Sequence, residues 1–269
     1  MSTGTHPGAT QGFAGDFVAS CLDAALATGS RIHGITGLQG TGKSTLAAQM
    51  AALAAQRGLA VAVLSVDDAY LDRDQRAALA REVHPLLATR GPPGTHDVGL
   101  ACRTLDALRA GKTVALPRFD KLGDCRLPEP EWPRVGPVDL VLFEGWFLGT
   151  PAEPDAALAE PVNALERDED PDGRWRRYCN DALARDYPAL WRRIDHLLFL
   201  QGPGFDIVPR WRWQQEQALQ ARHPHRKAMT REQVERFVQF FERTSRQAMR
   251  TLPGIADRLV RLDAERRPL

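Results

Sequence analysis

Residues 37–44 read Gly-Leu-Gln-Gly-Thr-Gly-Lys-Ser, which matches the G-x-x-x-x-G-K-[ST] spacing of a phosphate-binding loop. Glycines let the backbone wrap around phosphate oxygens, while backbone N–H groups and the following helix N-terminus form an anion site. In such a loop Lys43 reaches the β- and γ-phosphates and the Ser44 hydroxyl holds Mg²⁺. The predicted nucleotide ligands of this loop are Gly37, Gly40, Thr41, Gly42, Lys43, Ser44 and Thr45.

A glycine-rich turn can also arise without a function. Here, however, the loop follows a short β-biased run at 31–36 and opens an alanine-rich helical stretch at 43–56. Strand, loop and helix in this order are what phosphate binding requires. The loop alone does not separate a GTPase, a motor-type ATPase and a small-molecule kinase, because all three need the same phosphate site.

Two adjacent carboxylates follow the next apolar run. Residues 65–70 read Ser-Val-Asp-Asp-Ala-Tyr, so Asp67 and Asp68 stand at the carboxyl end of a predicted strand at 60–65. Ligands of open parallel sheets bind at such ends, where Asp67 can accept a proton from a substrate hydroxyl. Asp is also a favoured helix N-cap, but capping explains only one of the two. We therefore expect at least one of them to be functional, Asp67 first.

A third carboxylate ends the apolar run Val-Asp-Leu-Val-Leu-Phe-Glu-Gly at 138–145. From this position a Walker-B-type acid reaches the Mg²⁺ shell, directly or through water. An acid at a strand end can be a simple turn residue, but beside a phosphate-binding loop a metal role is favoured. The predicted metal-binding residues are Ser44, Glu144 and Asp67.

The composition is that of a globular protein. The chain has 269 residues, of which 43% are apolar, enough to bury a sizeable core. Lys and Arg number 35 against 34 Asp and Glu, giving a net charge of +1. This balance lacks the electrostatic footprint of a dedicated nucleic-acid or membrane-surface binder, so small molecules are the expected partners.

The four cysteines, at 21, 102, 125 and 179, are widely spaced and form no zinc or disulfide pattern. No run approaches the roughly 18 apolar residues that a membrane span needs, and the first residues lack the pattern of a secretory signal. We expect a cytoplasmic protein.

The remaining elements give a repeated strand-helix order. Further strands are predicted at 138–143, 196–200 and 258–262, and helices at 16–27, 98–110, 209–221 and from Thr230, where Gln233 completes a capping box. Continuous apolar strands favour a parallel sheet covered on both faces. The predicted fold is α/β, a P-loop NTPase fold with a doubly wound, mostly parallel five-stranded sheet.

We divide the chain into an N-terminal segment and helix, 1–29, and a single domain, 30–269. Within the domain, residues 70–137 form an excursion expected to bind a second substrate, and 201–230 a helical lid. The segment 151–173 is expected to be a surface loop with helical pieces. The basic cluster at 223–227 is interpreted as a solvated loop.

Several blocks together resemble one family. In order they are the phosphate-binding loop, Ser-Val-Asp-Asp-Ala-Tyr (65–70), Arg-Gly-Pro-Pro-Gly-Thr-His-Asp (90–97), Pro-Arg-Phe-Asp-Lys (117–121), Phe-Glu-Gly-Trp-Phe-Leu-Gly (143–149) and Arg-Trp-Arg-Trp-Gln-Gln-Glu (210–216). This order resembles the D-glycerate 3-kinases, which belong with phosphoribulokinase, uridine kinase and pantothenate kinase. The resemblance spans about residues 30–265. The chain departs from the family pattern at Ala69 and in a shortened stretch at 122–126.

The resemblance implies ATP-dependent phosphorylation of a small hydroxylated acid, with D-glycerate as the leading acceptor. Asp67 matches the base, Lys43 and Glu144 complete the catalytic set, and Arg210 and Arg212 belong to a lid that neutralises transferred charge and contacts ATP. An anionic acceptor needs cationic groups to approach a triphosphate. The implied acceptor-site residues are Asp68, Tyr70, Arg90, His96, Asp97, Arg118, Asp120 and Lys121.

Three alternatives stay open on the residues alone. The least favoured is a degenerate kinase that binds ATP without doing chemistry, because every core catalytic position is filled. The other two are as follows. One is a related kinase for a nucleoside, pantothenate or another sugar acid. The other is a nucleotide-binding regulatory ATPase, whose hydrolysis drives a conformational change. The paired Asp67 and Asp68 with the block at 90–97 favour a pocket for a second substrate, which a regulatory ATPase does not need.

Overall fold

The computed structural model describes residues 12–222, 225 and 228–269. Its helices are α1 (Gly15–Ala27), α2 (Lys43–Gln56), α3 (Arg73–Glu82), α4 (Val98–Arg109), α5 (Ala164–Glu169), α6 (Arg174–Arg185), α7 (Tyr187–Trp191), α8 (Val208–Arg222) and α9 (Arg231–Thr251). Its strands are β1 (Ile32–Gly37), β2 (Val61–Ser65), β3 (Val114–Ala115), β4 (Phe119–Asp120), β5 (Cys125–Arg126), β6 (Arg134–Val135), β7 (Leu140–Gly145), β8 (His196–Gln201) and β9 (Arg258–Arg261). The five strands predicted from sequence are confirmed, each within two residues.

The long strands form one parallel sheet in the order β2-β7-β1-β8-β9. The predicted α/β fold with a doubly wound, five-stranded sheet is therefore confirmed. In its register Ser65 lies beside Glu144, and Glu144 lies beside Ile35. Consequently the phosphate-binding loop, Glu144 and the turn after β2 meet at the same edge of the sheet, where parallel strands present their carboxyl ends.

Helices cover both faces of the sheet because alternate residues of each strand point to opposite sides. One core joins Ile35, Leu142 and Leu198 to α1 and α2. The other joins Ile32 and Phe143 to α4, α6, α7 and α9. Helix α1 thus shares a core with the phosphate-binding helix α2, while residues 1–11 of the predicted N-terminal segment lie outside the described residues.

The excursion between β2 and β7 contains α3, α4 and two short antiparallel pairs, β3–β6 and β4–β5. Between β7 and β8 the segment 151–173 differs from the expected surface loop. Glu153, Glu166 and Asp170 are buried there, and they pair with the guanidinium groups of Arg243 and Arg176. Buried charges of this kind are retained only where they are paired, so the acidic composition of this segment is not a sign of exposure.

The capping box predicted at Thr230 and Gln233 is present at the start of α9. Within the described part of the chain, no helix combines the length and the apolar character needed to cross a membrane. Of the basic cluster at 223–227, only His225 belongs to the described residues, and it is exposed.

Two histidines stack inside the sheet. His33 of β1 lies opposite His196 of β8, with ring centroids 4.9 Å apart. His33 is 1% exposed, and neither of its ring nitrogens has a hydrogen-bond partner among the described residues. Burial lowers the pKa of His33 to about 3, and the charges of His196 and Arg258 act in the same direction. The His33 ring is therefore neutral in the folded protein at neutral pH.

We expect the free energy of unfolding to fall as the pH drops from about 6.5 towards 3. Between these values the unfolded chain takes up a proton at His33 that the folded chain does not, so the stability contributed by the neutral ring is lost. In this pH range His33 changes the free energy of unfolding by about 1.4 kcal/mol per pH unit. Urea unfolding of the wild type and of His33→Leu at a series of pH values measures it.

The His33→Leu protein should show a flatter pH dependence than the wild type. His225→Leu is the matched control, because it also replaces a histidine but at an exposed position. Parallel pH dependences for the wild type and His33→Leu would contradict the interpretation.

Candidate active site

The phosphate-binding loop needs glycine at two points of close approach. A Cβ at Gly37 would lie 2.5 Å from the carbonyl oxygen of Leu200 in β8. Gly40 has φ 88°, and a Cβ there would lie 2.6 Å from the Cβ of Trp211 in α8. Both distances are too short for a side chain. Packing against β8 and α8 therefore requires glycine at the same two positions as the motif does.

The loop folds around the carbonyl of Leu38. The Thr41 hydroxyl donates to this oxygen at 2.9 Å, and Lys43 Nζ donates to it at the same distance. Lys43 is only 7% exposed. Burial lowers the pKa of its ammonium group, whereas the carboxylates of Glu144 and Asp67 raise it. The loop therefore holds a buried cation at the position where the motif places phosphates.

Ser44 and Glu144 form the second part of the site. The Ser44 hydroxyl donates to Glu144 Oε1 at 2.9 Å. Glu144, in β7, is 7% exposed, and burial raises its pKa while the Lys43 ammonium opposes that change. A hydroxyl and a carboxylate are the oxygen ligands that Mg²⁺ prefers, so these two residues fit a magnesium site.

Asp67 faces two donors. Tyr70 donates its hydroxyl to Asp67 Oδ1 at 2.7 Å, and Lys121 Nζ donates to Oδ2 at 2.6 Å. Burial by itself raises the pKa of Asp67, but the charge and hydrogen bond of Lys121 and the Tyr70 hydroxyl outweigh it and hold the value at about 2. Asp67 is therefore ionised at neutral pH, and its negative charge also acts on Lys43.

Asp68 has a different environment from its neighbour. It forms a capping box with Ser65 over the short 3-10 turn Val66–Ala69, and it accepts from Arg118 at 3.1 Å and from the backbone of Phe119 at 3.4 Å. Asp68 is therefore the aspartate that caps the turn, whereas Asp67 faces the side chains of Tyr70 and Lys121. Asp68 joins the turn after β2 to the strand β4 of the excursion.

The shortened stretch at 122–126 binds the predicted acceptor-site arginine. Arg90 forms an ion pair with Asp124, donates to the carbonyl of Lys121 at 3.0 Å and lies 5.6 Å from the Phe119 ring centre. Asp124 also pairs with the buried Arg76. Sequence reasoning missed both Asp124 and Arg76, because neither belongs to a recognisable motif.

Three other predicted residues have structural partners. Asp120 accepts from the backbone of Leu122 at 2.9 Å, within the turn that joins β4 to β5. Asp97 caps α4 by accepting from the backbone of Leu100 at 2.8 Å and lies 3.6 Å from Arg126. His96 pairs with Tyr70 in an isolated β-bridge, and the two rings are 4.8 Å apart.

The lid arginines lie on α8. Arg210 is half exposed and pairs with Glu265 at 3.4 Å. Arg212 lies 3.7 Å from Glu216 and 5.8 Å from the Phe237 ring centre of α9. Residues of α8, α9 and the C-terminal segment therefore hold both arginines in place. Lys43, Glu144, Asp67 and Lys121, by contrast, form one set of residues whose charges interact.

Arg266 makes contacts that were not predicted from sequence. Its Nε donates to the carbonyl of Gly40, its Nη2 donates to Gln214 Oε1 at 2.9 Å, and its guanidinium lies 5.0 Å from the Trp211 ring centre. A charged residue near the C-terminal end of the sequence ordinarily indicates a solvated side chain. Here it links the phosphate-binding loop to α8.

Comparison with known proteins places this geometry among P-loop proteins. The sequence pattern of the family described as methylmalonyl Co-A mutase-associated GTPase MeaB matches residues 18–71, which include the phosphate-binding loop. The uncharacterized kinase mug58 of Schizosaccharomyces pombe is 36% identical over 227 residues, which cover 78% of each chain.

The names of two further similar proteins include a substrate. The chloroplastic D-glycerate 3-kinase of Arabidopsis thaliana is 34% identical over 220 residues, which cover 77% of this chain and 45% of that protein. The chain thus aligns with less than half the length of the Arabidopsis protein. The structure of D-glycerate 3-kinase from Cryptococcus neoformans var. grubii has a TM-score of 0.76 and 26% identity, covering 95% of this chain and 96% of that one.

Substitution of Arg266 by Met should weaken binding of a nucleoside triphosphate about tenfold, because the carbonyl of Gly40 loses a charged donor and the loop loses its link to α8. Isothermal titration calorimetry with ATP and Mg²⁺ measures the change. Arg267→Met is the matched control, since Arg267 pairs with Asp263 and Glu265. Equal affinities for the two variants would show that the Arg266 contact does not support the loop.

Proposed function

Because the chain belongs to the D-glycerate 3-kinase family of P-loop kinases, we propose that it transfers the γ-phosphoryl group of ATP to a hydroxyl of D-glycerate, giving 3-phosphoglycerate. The observation that supports this most directly is the pairing of Asp67 with Lys121 next to the phosphate-binding loop. A carboxylate and a cation at one place match the hydroxyl and the carboxylate of a small hydroxy acid.

On this proposal the nucleotide site consists of the loop, Lys43, Ser44 and Glu144. Backbone N–H groups of the loop and the Lys43 ammonium would bind the phosphates. Ser44 and Glu144, with Asp67 nearby, would hold Mg²⁺, which when bound neutralises charge on the β- and γ-phosphates. Lys43 would exchange its contact with the Leu38 carbonyl for phosphate oxygens, which are stronger partners for a buried cation.

Asp67 would act as the base. As the acceptor oxygen attacks the γ-phosphorus, an O–P bond forms, the bond from phosphorus to the ADP oxygen breaks, and the hydroxyl proton passes to Asp67. Lys121 holds Asp67 ionised in the free protein. Its side chain is 58% exposed and therefore free to turn towards an incoming carboxylate. That exchange would leave Asp67 with fewer partners and a stronger tendency to accept the proton.

The remaining predicted residues have supporting roles in this proposal. Asp68, Tyr70 and Arg118 fix the turn that carries Asp67. Arg90, His96, Asp97 and Asp120 shape the acceptor side, and Arg210 and Arg212 would neutralise charge on the transferred group when α8 approaches the phosphates. We further propose a cytoplasmic location, which agrees with the four cysteines being free thiols, as they remain in a reducing compartment.

The test of the function is ADP release from ATP and Mg²⁺ in a coupled assay, without acceptor and with D-glycerate, L-glycerate, uridine, pantothenate or ribulose 5-phosphate. Turnover that depends on D-glycerate supports the proposal. Turnover on another compound of the set assigns a different acceptor to the same kinase. Equal slow hydrolysis in every sample would favour a regulatory ATPase.

Asp67→Asn should lower kcat by about 10²- to 10⁴-fold while ATP still binds, because the amide cannot accept the hydroxyl proton. Lys43→Ala should abolish turnover mainly through lost phosphate contacts, and so should weaken ATP binding as well. Asp74→Asn is the control, since Asp74 is exposed on α3. Full activity of Asp67→Asn would exclude Asp67 as the base and leave Asp68 as the next candidate.

Lys121→Met should raise the KM for D-glycerate by about tenfold or more, because the acceptor carboxylate loses a charged partner. The KM for ATP should change little. Lys112→Met, which alters an exposed lysine after α4, is the matched control. If Lys121→Met instead raised both KM values equally, Lys121 would serve the whole site rather than the acceptor.

A further inference from the structure

Tyr187 lies at the start of α7, outside the phosphate-binding loop and the excursion between β2 and β7. It is fully buried, and its hydroxyl is 3.0 Å from the backbone nitrogen of Gly94 and 2.6 Å from Nδ1 of His96. Gly94 and His96 both belong to the block at 90–97. Tyr187 therefore connects the core beneath the sheet to the predicted acceptor side of the site.

The two contacts determine where the protons are. The backbone N–H of Gly94 can only donate, so the Tyr187 oxygen accepts from it. The hydroxyl proton of Tyr187 then needs an acceptor, and His96 Nδ1 is the one within hydrogen-bond distance among the described residues. If Nδ1 carried a proton instead, the tyrosine hydroxyl proton would be buried without a partner, which is costly. Nδ1 of His96 is thus unprotonated, and the neutral ring carries its proton on Nε2.

The Nε2–H of His96 is buried and has no hydrogen-bond partner among the described residues. The side of the ring that bears Nδ1 faces Tyr187, so Nε2 is directed away from it. The ring is 4.8 Å from Tyr70, whose hydroxyl donates to Asp67, and 5.6 Å from Phe147. Burial lowers the pKa of His96 to about 4, although the charge of Asp67 opposes this, so the ring is neutral at neutral pH.

A buried donor without a partner is uncommon and calls for a ligand or a bound water. His96 lies close enough to Asp67 for the charge of Asp67 to act on the protonation of the ring. An oxygen of a small molecule bound beside Asp67 is therefore the partner that this geometry suits best.

We propose that Tyr187 is a positioning residue that fixes His96 in its Nε2–H tautomer, so that this N–H donates to an oxygen of the acceptor substrate beside Asp67. The identity of that substrate rests on the function proposed above. The tautomer itself does not depend on it. Tyr187 would thus contribute to acceptor binding without touching the substrate.

The tautomer can be measured in the free protein. Long-range ¹H–¹⁵N correlation spectra of protein labelled with ¹⁵N-histidine distinguish a protonated Nε2 from a protonated Nδ1, and the spectrum of His96→Gln assigns the signal. We expect the Nε2–H form in the wild type and a mixture of both tautomers in Tyr187→Phe. A wild-type ring protonated on Nδ1 would overturn the proposal, whatever the enzyme phosphorylates.

Addition of D-glycerate to the labelled wild type tests the donor role separately. The Nε2 proton should move downfield as the hydrogen bond forms. An unchanged His96 signal at a D-glycerate concentration that saturates turnover would overturn the donor role. If no acceptor supports turnover while the Nε2–H tautomer is found, the proposed function fails and the tautomer assignment stands.

Kinetics then separates positioning from simple stabilisation. Tyr187→Phe should raise the KM for D-glycerate about fivefold to tenfold, with the KM for ATP unchanged. Tyr178→Phe is the matched control, since the Tyr178 ring packs against Gly94, whereas the hydrogen bond to His96 Nδ1 comes from Tyr187.

A double substitution completes the test. Gln at position 96 can offer an amide donor near the place of Nε2 and has no ring tautomers, so His96→Gln should retain more activity than His96→Leu. In the His96→Gln background, Tyr187→Phe should then have no more effect than Tyr178→Phe. An equal loss from Tyr187→Phe in both backgrounds would show that Tyr187 acts through Gly94 and the core, and the proposal would be wrong.

Discussion

The register of three neighbouring parallel strands determines the rest of the site. Because Ser65 of β2 lies beside Glu144 of β7, and Glu144 beside Ile35 of β1, the segments that follow these strands begin at the same height. The phosphate-binding loop, the carboxylate of Glu144 and the turn with Asp67 are therefore brought together by backbone hydrogen bonds. A slip of one residue would turn Glu144 to the opposite face of the sheet.

Charge compensation is the second constraint at this edge. Lys43, Glu144 and Asp67 are withdrawn from water to different degrees. Lys43 and Glu144 change each other's protonation equilibrium, and the charge of Asp67 acts on both. Lys121 adds a cation from the excursion, on a side chain that is still 58% exposed. In the free protein, the opposite charges of the site therefore compensate one another. Phosphates and an anionic acceptor would replace these internal partners rather than enter an empty, uncompensated pocket.

Much of this arrangement follows from sequence because it depends on local patterns. Continuous apolar runs gave the five strands, and the glycine spacing identified the phosphate-binding loop before any contact was known. Local patterns do not reveal which of several similar side chains pairs with a given partner. Nothing local distinguishes Asp67, which faces Lys121, from Asp68, which caps a turn, since the difference depends on a lysine 54 positions away. The same holds for Asp124 and Tyr187, and for Glu166, whose burial depends on Arg243 of α9.

The contact between Arg266 and Gly40 joins residues that are 226 positions apart. During synthesis the phosphate-binding loop, which begins at residue 37, leaves the ribosome before residue 266. Its carbonyl at Gly40 receives a donor only after residue 266 has also emerged, and α8, which covers that glycine, comes nearly as late. The growing chain therefore completes the surroundings of this loop only after almost all of the domain has been made.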